Sequence, residues 1–341
     1  MDMEQVSPDK VQQEYRDTGE AKVTAQPTSR IPTIAFLPPP ALYNSVIKMG
    51  EHKAETPWWK TLLLGILAGV YVSFAGALSY TVGGEVNDIR RANPGVQKLL
   101  FGAFGVPFGL ALIIICGADL FTANTCFMTA AYFEGKVKSW HLVKNWVAAF
   151  LGNLAGALFI VWLVDRTLLF REESQDPSFS GQGYAQETAV ERTSAPWGAM
   201  VVRGVLANWL MSLAYLQAMA AQDIIGRIVG VYLPSLAFEA IELNHVVVDM
   251  FLVPFGMKNG APVSVGQYIW RNMIPVAIGN TIAGCFFVAL PYSILFGSLG
   301  EKVEEWAGRA KHGDILSRRP KKEQAQDGVA HEGSRDGAQQ A

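Results

Sequence analysis

Glu242-Leu243-Asn244-His245-Val246-Val247-Val248-Asp249 lies near the middle of an otherwise apolar stretch, residues 228–257, that is long enough to cross a bilayer. The other histidines of the chain lie in or beside polar, charged segments. A titratable side chain near the centre of a membrane is costly and faces protein or water rather than lipid. We therefore predict that His245 lies where a polar species passes or is held.

The composition is that of a membrane protein with polar ends: 50% of the 341 residues are hydrophobic, and the mean hydropathy is +0.20. A net charge of −2 and the lack of a basic patch with interleaved aromatics give no reason to expect a nucleic-acid partner. Cys116, Cys126 and Cys285 have neither metal-ligand nor disulfide-framework spacing, so they are interpreted as small core residues. We expect neither a metal nor another cofactor.

Six segments are candidate membrane spans, since each contains the roughly 17–25 mostly apolar residues that a spanning helix needs. They cover residues 60–82, 99–133, 142–170, 198–221, 225–257 and 269–299. The second and the fifth are too long for one crossing and contain polar residues. We predict that both are broken helices whose joints line a cavity or are buried in protein. The predicted fold class is an all-α membrane protein with six transmembrane helices.

The polar ends are predicted to lie outside the membrane. Residues 1–57 are predicted to be a disordered N-terminal tail and residues 58–300 the transmembrane domain, with a soluble loop at 171–196. Residues 301–341 are predicted to be a C-terminal tail that begins with an amphipathic helix at 301–310. Six spans put both termini on one side, and the excess of basic residues on that side predicts cytoplasmic termini.

The two halves of the chain resemble each other segment by segment. Gly65-Ile66-Leu67-Ala68-Gly69 matches Gly204-Val205-Leu206-Ala207-Asn208, Gly152 matches Gly279, and the pair Asn145 and Asn153 recurs with the same spacing as Asn272 and Asn280. Each half contains three spans, so the halves must insert with opposite orientations. Inverted repeats with paired broken helices are typical of a transport pathway at the repeat interface.

The first break is predicted at residues 117–125, where Gly, Asp, Thr and Asn can close a tight turn and bond freed backbone groups. Asp119 is interpreted as a helix cap rather than as a substrate contact. The half-helix that follows begins with free amides and a positive dipole end, which favour an anion.

The second break is predicted around Asn244-His245, and His245 is interpreted as a pathway residue. Asp249 either holds the following half-helix or tunes the histidine. Acidic groups that faced an anion path would repel anions. Glu239 and Glu242 are therefore expected to be paired, protonated or turned away from the path.

Over residues 62–299 the chain resembles the formate/nitrite transporter family. The motifs that carry the resemblance are Phe108-Gly109-Leu110, residues 116–122, Lys144-Asn145-Trp146, residues 152–157, residues 206–210, Asn244-His245 with residues 249–254, and Gly279-Asn280. The resemblance implies a homopentamer of aquaporin-like protomers, each with its own pore for small monovalent anions.

By motif position, His245 resembles the central pore histidine of the family, and Thr122 resembles its partner on the first broken loop. The other implied pathway residues are Leu110, Leu120, Phe121 and Phe238 at constrictions, the polar Asn124, Asn208 and Asn244, and Arg192 where many members carry a vestibule lysine. Asn244 replaces the glutamate usual in bacterial members, and Val106 replaces a bulky aromatic residue. Asn244 and the long polar tails resemble the fungal branch, which is associated with nitrite uptake.

We therefore predict a transporter, not an enzyme, that takes up nitrite across the plasma membrane, with proton donation near His245. Formate, lactate and acetate are alternative substrates, and the other expected partners are protons and membrane lipid. Neutral-solute channels of the aquaporin type resemble paired Asn-Pro-Ala breaks, whereas these breaks read Thr122-Ala123-Asn124 and Asn244-His245. A metalloenzyme would need a second ligand beside His245. A receptor or scaffold would not need the repeat.

Overall fold

The computed structural model describes residues 36–170 and 181–311, and the predictions for residues 1–35, 171–180 and 312–341 lie outside them. The described residues are helical apart from turns, connections and an isolated bridge between Phe36 and Ala221. This confirms the all-α fold class.

The first half of the described chain consists of an amphipathic helix followed by three crossings, of which the second is broken. In chain order the helices are α1 (Pro39–Glu55), α2 (Trp58–Ser79, ending in a π-helical turn at Tyr80–Gly84), α3 (Asn87–Ala92), α4 (Pro94–Phe104), α5 (Val106–Cys116), α6 (Phe121–Phe133) and α7 (Ser139–Thr167). The broken crossing is α4 and α5 followed by the half-helix α6.

The second half repeats this order. Its helices are α8 (Gly181–Ser194), α9 (Trp197–Ala220), α10 (Ile224–Ala240), α11 (Val246–Lys258), α12 (Val265–Tyr268), α13 (Ile274–Ile282), α14 (Leu290–Phe296) and α15 (Ser298–Lys311), with π-helical turns at Ile269–Met273 and Ala283–Ala289. α8 corresponds to α1, and α12 to α14 together form the last crossing. The amphipathic helix expected at 301–310 lies within α15.

Within the described residues, five helices are long and apolar enough to cross a membrane. They are Trp58–Gly84, Pro94–Cys116, Ser139–Thr167, Trp197–Ala220 and Val265–Phe296. The remaining crossing is divided between α10, with 17 residues, and α11, with 13, so neither piece reaches the length of about 20 residues that a full span needs. Both predicted broken helices are therefore found.

Two segments expected to lack regular structure are helices, so those expectations were wrong for α1 and α8. The reason is the same in both: a few small or apolar residues at helical spacing are buried within otherwise polar sequence. Leu42, Tyr43 and Val46 bury one face of α1, which packs against α6. Ala185 and Ala189 likewise bury one face of α8, which packs against α11. Amphipathic helices of this kind have low mean hydropathy.

Glycines bring the first and third crossings of each half into close contact. Gly152 of α7 lies against the carbonyl oxygen of Leu62, and Gly279 of α13 lies against that of Val201. A Cβ atom at either glycine would collide with that backbone oxygen. The same small-residue contact thus recurs at matching positions, as the predicted repeat requires.

Candidate functional site

The two helix breaks have the same backbone design. Gly117 follows α5 with φ 76°, and Glu242 follows α10 with φ 64°, so both adopt the left-handed conformation. Three residues later, Leu120 and His245 are extended and directly precede the half-helices α6 and α11. His245 therefore occupies in the second break the position that Leu120 has in the first.

An asparagine from the third crossing of each half holds the start of the half-helix. Asn153 and Asn280 each accept a hydrogen bond from the first amide of the half-helix and donate one to a glycine carbonyl of the first crossing. The bonds are Phe121 N–H to Asn153 Oδ1 (3.0 Å), Asn153 Nδ2–H to the Gly65 oxygen (2.9 Å), Val246 N–H to Asn280 Oδ1 (2.9 Å) and Asn280 Nδ2–H to the Gly204 oxygen (2.7 Å). The sequence revealed the matching asparagines but not this role.

Four of the predicted pathway residues meet where the two breaks approach each other. Nε2 of His245 lies 2.8 Å from Oγ1 of Thr122, and both side chains are completely buried. The ring of Phe238 lies 5.8 Å from that of His245, centroid to centroid. Asn208 donates to the carbonyl oxygen of Thr122 at 3.3 Å. Nδ1 of His245 has no hydrogen-bond partner among the described residues.

The predicted constriction residues are buried in the same apolar core. Leu110, Leu120 and Phe121 belong to the cluster of buried side chains that also contains Phe238. The ring of Phe121 packs edge-on against Phe150 at 5.2 Å.

Asn124 lies on α6 and is also fully buried. Its backbone oxygen accepts a hydrogen bond from the indole of Trp146. Both polar atoms of the Asn124 side chain lack a partner within the described part of the chain. They are hydrogen-bonding groups available for a water or a solute.

Asp119 forms an ion pair instead of capping α6, so its interpretation as a helix cap was wrong. Its carboxylate lies 2.6 Å from Nζ of Lys53, which α1 brings to the break. The first amide of α6 is taken by Asn153. Because α1 was not predicted as a helix, this partner could not be found from sequence.

At the second break, Arg192 of α8 is buried between two carboxylates. Its guanidinium lies 2.5 Å from Glu239 and 2.7 Å from Asp249. The second oxygen of Asp249 accepts hydrogen bonds from Asn244 at 3.0 Å and Asn272 at 2.8 Å. Asp249 lies in the first turn of α11 and ties that turn to α8, which is the holding role weighed for it from sequence.

The other acidic residue near the second break is also paired. Glu242 forms an ion pair with Lys98 at 2.6 Å, as Glu239 does with Arg192. Both glutamates are therefore paired, one of the outcomes expected for them. Arg192, predicted as a vestibule cation, is only 8% exposed and is engaged by carboxylates on two sides.

A cavity of about 290 Å³ lies beside α8 and reaches the side chains of Arg192, Glu239 and Asn244. We call it the α8-side cavity; it is lined by Lys98, Tyr184, Glu191, Arg192, Arg203, Glu239, Glu242 and Asn244, with Phe101, Thr188, Ser194, Ile241 and Leu243. Burial raises the pKa of Glu191, and the nearby carboxylates of Glu187 and Glu242 raise it further. The lining thus presents both cations and acids to an entering solute.

The arrangement can hold a small anion at the breaks. α6 and α11 both begin there. Asn153 and Asn280 accept from the first amide of each half-helix, and the next amides of the first turn have no acceptor within the helix. The positive ends of the two helix dipoles favour negative charge at the same place. Among the described residues, no three His, Cys, Asp or Glu side chains are grouped so that they could hold a metal ion.

Comparison with known proteins agrees with this architecture. The family model for formate/nitrite transporters matches residues 40–294. A probable formate transporter of Methanothermobacter thermautotrophicus is 34% identical over 76% of this chain and 96% of that protein. A formate-nitrite transporter of Entamoeba histolytica is 30% identical over 82% of this chain and 76% of that protein.

A solved structure of a pentameric formate channel with formate bound is similar in fold. Its TM-score is 0.63 with 26% sequence identity, and the match covers 70% of this chain and 97% of that chain. With a family match across most of the chain and the predicted broken helices in place, the protein belongs to the formate/nitrite transporter family and is a membrane transport protein rather than an enzyme.

Proposed function

We propose that this protein conducts small monovalent anions, nitrite foremost, along a path between the two helix breaks. The observation that carries the proposal is the 2.8 Å contact between His245 and Thr122, which joins the breaks in a completely buried site. The α6 and α11 N-termini beside it supply a favourable field for an anion. The names of the relatives support the class of substrate.

Proton transfer solves the main energetic difficulty of this path. A bare anion crosses an apolar constriction only at a large desolvation cost. Nitrite and formate both become small neutral acids when they accept a proton. In our proposal His245 donates that proton, directly or through water, since histidine changes its charge near neutral pH more readily than other side chains. The neutral acid then passes Leu110, Phe121 and Phe238.

Formate is the second candidate substrate, followed by lactate and acetate. Two observations favour formate: a relative is named a probable formate transporter, and a similar solved structure is a formate channel. The preference for nitrite rests on Asn244, the residue before His245. Bacterial members usually have a glutamate at this position, whereas asparagine resembles the fungal branch that is associated with nitrite uptake.

Uptake into proteoliposomes tests the proposal. Purified full-length protein should take up labelled nitrite, and competing formate should slow that uptake. His245→Phe should flatten the pH dependence of uptake, whereas the control His52→Phe, at an exposed histidine of α1, should keep the wild-type profile. Uptake of formate but not nitrite would disprove the nitrite preference. Swelling with glycerol without uptake of either anion would overturn the anion path in favour of a neutral-solute channel.

We further propose a homopentamer in the plasma membrane with both termini in the cytoplasm. Large apolar side chains exposed on the crossings, such as Leu67, Leu151 and Trp162, supply surface for subunit and lipid contacts. The similar solved structure is of a pentameric channel. Native mass spectrometry measures the subunit number, and protease protection of terminal tags on intact cells measures the orientation.

A further inference from the structure

The two helix breaks differ in their balance of charge. At the first break, Lys53 and Asp119 form a pair of one cation and one acid. At the second, Arg192 contacts two acids, Glu239 and Asp249, whose side chains are 0% exposed. This buried cluster therefore contains one carboxyl more than its cation can neutralise. An uncompensated charge in such a place is strongly unfavourable, as is a buried ion pair that has lost one partner.

Hydrogen bonding distinguishes the two carboxyls of the cluster. Asp249 accepts from three donors, which are Arg192, Asn244 and Asn272, so its charged form is well satisfied. Glu239 accepts from Arg192 through Oε1 at 2.5 Å. Its Oε2 atom is buried and has no partner among the described residues. A buried carboxylate oxygen without a donor is unfavourable, whereas the same oxygen carrying a hydrogen is neutral.

Building on the proposed function, we infer that the path has a second proton donor besides His245: Glu239 holds a proton on Oε2 at rest and exchanges it with a weak-acid anion in the α8-side cavity. Glu239 lines this cavity, as do Arg192 and Asn244. In the exchange the O–H bond at Oε2 breaks and an O–H bond forms on an oxygen of the anion. The products are a neutral acid and a Glu239 carboxylate, which a proton from the water on that side restores.

The surroundings of Glu239 suit a group that cycles between two states. Arg192 on α8 stabilises the carboxylate, and Asp249 on α11 opposes it. The other titratable or charged groups around the cavity are Lys98 from α4, Tyr184 and Glu191 from α8, Arg203 from α9 and Glu242 after α10. Because Arg192 favours the charged form of Glu239 and Asp249 favours the neutral form, neither form is strongly favoured. A group that exchanges protons requires such a balance.

Two measurements on the full-length protein test this inference. In infrared spectra of wild type, we expect a carboxylic-acid C=O band at neutral pH that is lost in Glu239→Gln. In proteoliposomes, Glu239→Gln should lower nitrite or formate uptake about tenfold or more and flatten its pH profile, because a positioned proton donor typically contributes at least that much. The control Glu55→Gln removes an exposed acid at the end of α1, outside this cavity, and should change neither measurement.

Unchanged uptake and pH profile in Glu239→Gln would overturn the exchange, and so would a uniform loss of uptake with an unchanged profile. A carboxylic-acid band that persists in Glu239→Gln would disprove the claim that Glu239 carries a proton at rest. If Glu239→Gln fails to fold, Glu239→Asp should shift the band, and an unshifted band overturns the inference. If wild type transports neither anion, the proposed function fails, while the infrared band still decides whether Glu239 is protonated.

Discussion

His245 Nε2 and Thr122 Oγ1 lie 2.8 Å apart although the two residues are separated by 123 positions in the chain. Thr122 lies in the first turn of α6, and His245 directly precedes α11. The contact therefore joins the starts of the two half-helices. Because each half of the repeat supplies one partner, the site exists only when both halves have folded against each other.

Thr122→Val should weaken both stability and transport. The substitution keeps the shape of the side chain but leaves both ring nitrogens of the buried His245 without a described partner, at a cost of about 1–3 kcal/mol. We expect a lower unfolding temperature and about tenfold slower nitrite or formate uptake in proteoliposomes. Thr122→Ser, which keeps the hydroxyl, should restore both.

The matched control is Thr81→Val, because the hydroxyl of Thr81 bonds its own helix at an exposed position. A Thr122→Val protein with wild-type uptake would show that the hydroxyl has no part in the path.

Removing the glycine at the first break and introducing one at the second should change the stability of the protein in opposite directions. Gly117 and Glu242 adopt the same left-handed backbone, which costs a residue with a Cβ roughly 1–2 kcal/mol. Gly117→Ala should therefore destabilise the protein by about that amount. Glu242→Gly should relieve the strain but also lose the partly exposed pair with Lys98, a contribution of about 0–1 kcal/mol.

Thermal unfolding in detergent measures both variants, and Gly266→Ala is the control, since Gly266 has open space around it. Equal destabilisation by Gly117→Ala and Gly266→Ala would contradict this account of the break.

Arg192→Met should be among the most destabilising single substitutions in the protein. It leaves Glu239 and Asp249 buried without their cation, and loss of one partner of a buried ion pair costs about 3–5 kcal/mol. Arg90→Met removes the arginine of the partly exposed pair with Glu187, which contributes about 0–1 kcal/mol. Denaturant or thermal unfolding compares the two. Similar losses of stability in both variants would show that the buried ion pairs of Arg192 contribute no more than the partly exposed pair of Arg90.

Acid should remove the stabilisation that Glu134 provides. This carboxylate accepts hydrogen bonds from Tyr43, Ser293 and Ser298 and so joins α1, α14 and α15 to the end of α6. Burial by itself raises the pKa of Glu134, but these hydrogen bonds outweigh it and hold the pKa below the usual value. The stabilisation is therefore fully present above the unfolded pKa of about 4.3 and is lost as pH falls through the lower folded pKa.

Glu134→Gln should accordingly be less stable than wild type at neutral pH by about 1.5–3 kcal/mol, the value of a hydrogen bond to a charged group. The difference should shrink in acid, as measured by unfolding temperature across a pH series. A difference that stays constant down to the acid limit of folding would contradict a charged Glu134.

Much of the fold was predictable because its signals are local. The length of each apolar segment identifies the crossings. Two of the crossings are interrupted by residues that lipid-facing helices avoid, which are Gly117 and Asp119 in the first and Asn244 and His245 in the second. The helices α1 and α8 were missed, since a narrow buried face in a polar segment gives a weak periodic signal. The partners of Asp119 and Asp249 were missed with them, because Lys53 and Arg192 lie on those two helices.

By itself, the sequence determined the crossings, the two breaks, the repeat and the position of His245 at the second break. These follow from hydropathy, turn chemistry and internal matching, all of which act over short distances along the chain. Only the tertiary structure decided that His245 meets Thr122, that Asn153 and Asn280 hold the half-helices, and that Arg192 is shared by two acids. Those contacts depend on how distant helices pack, and one-dimensional spacing does not specify which side chains that packing brings within hydrogen-bonding distance.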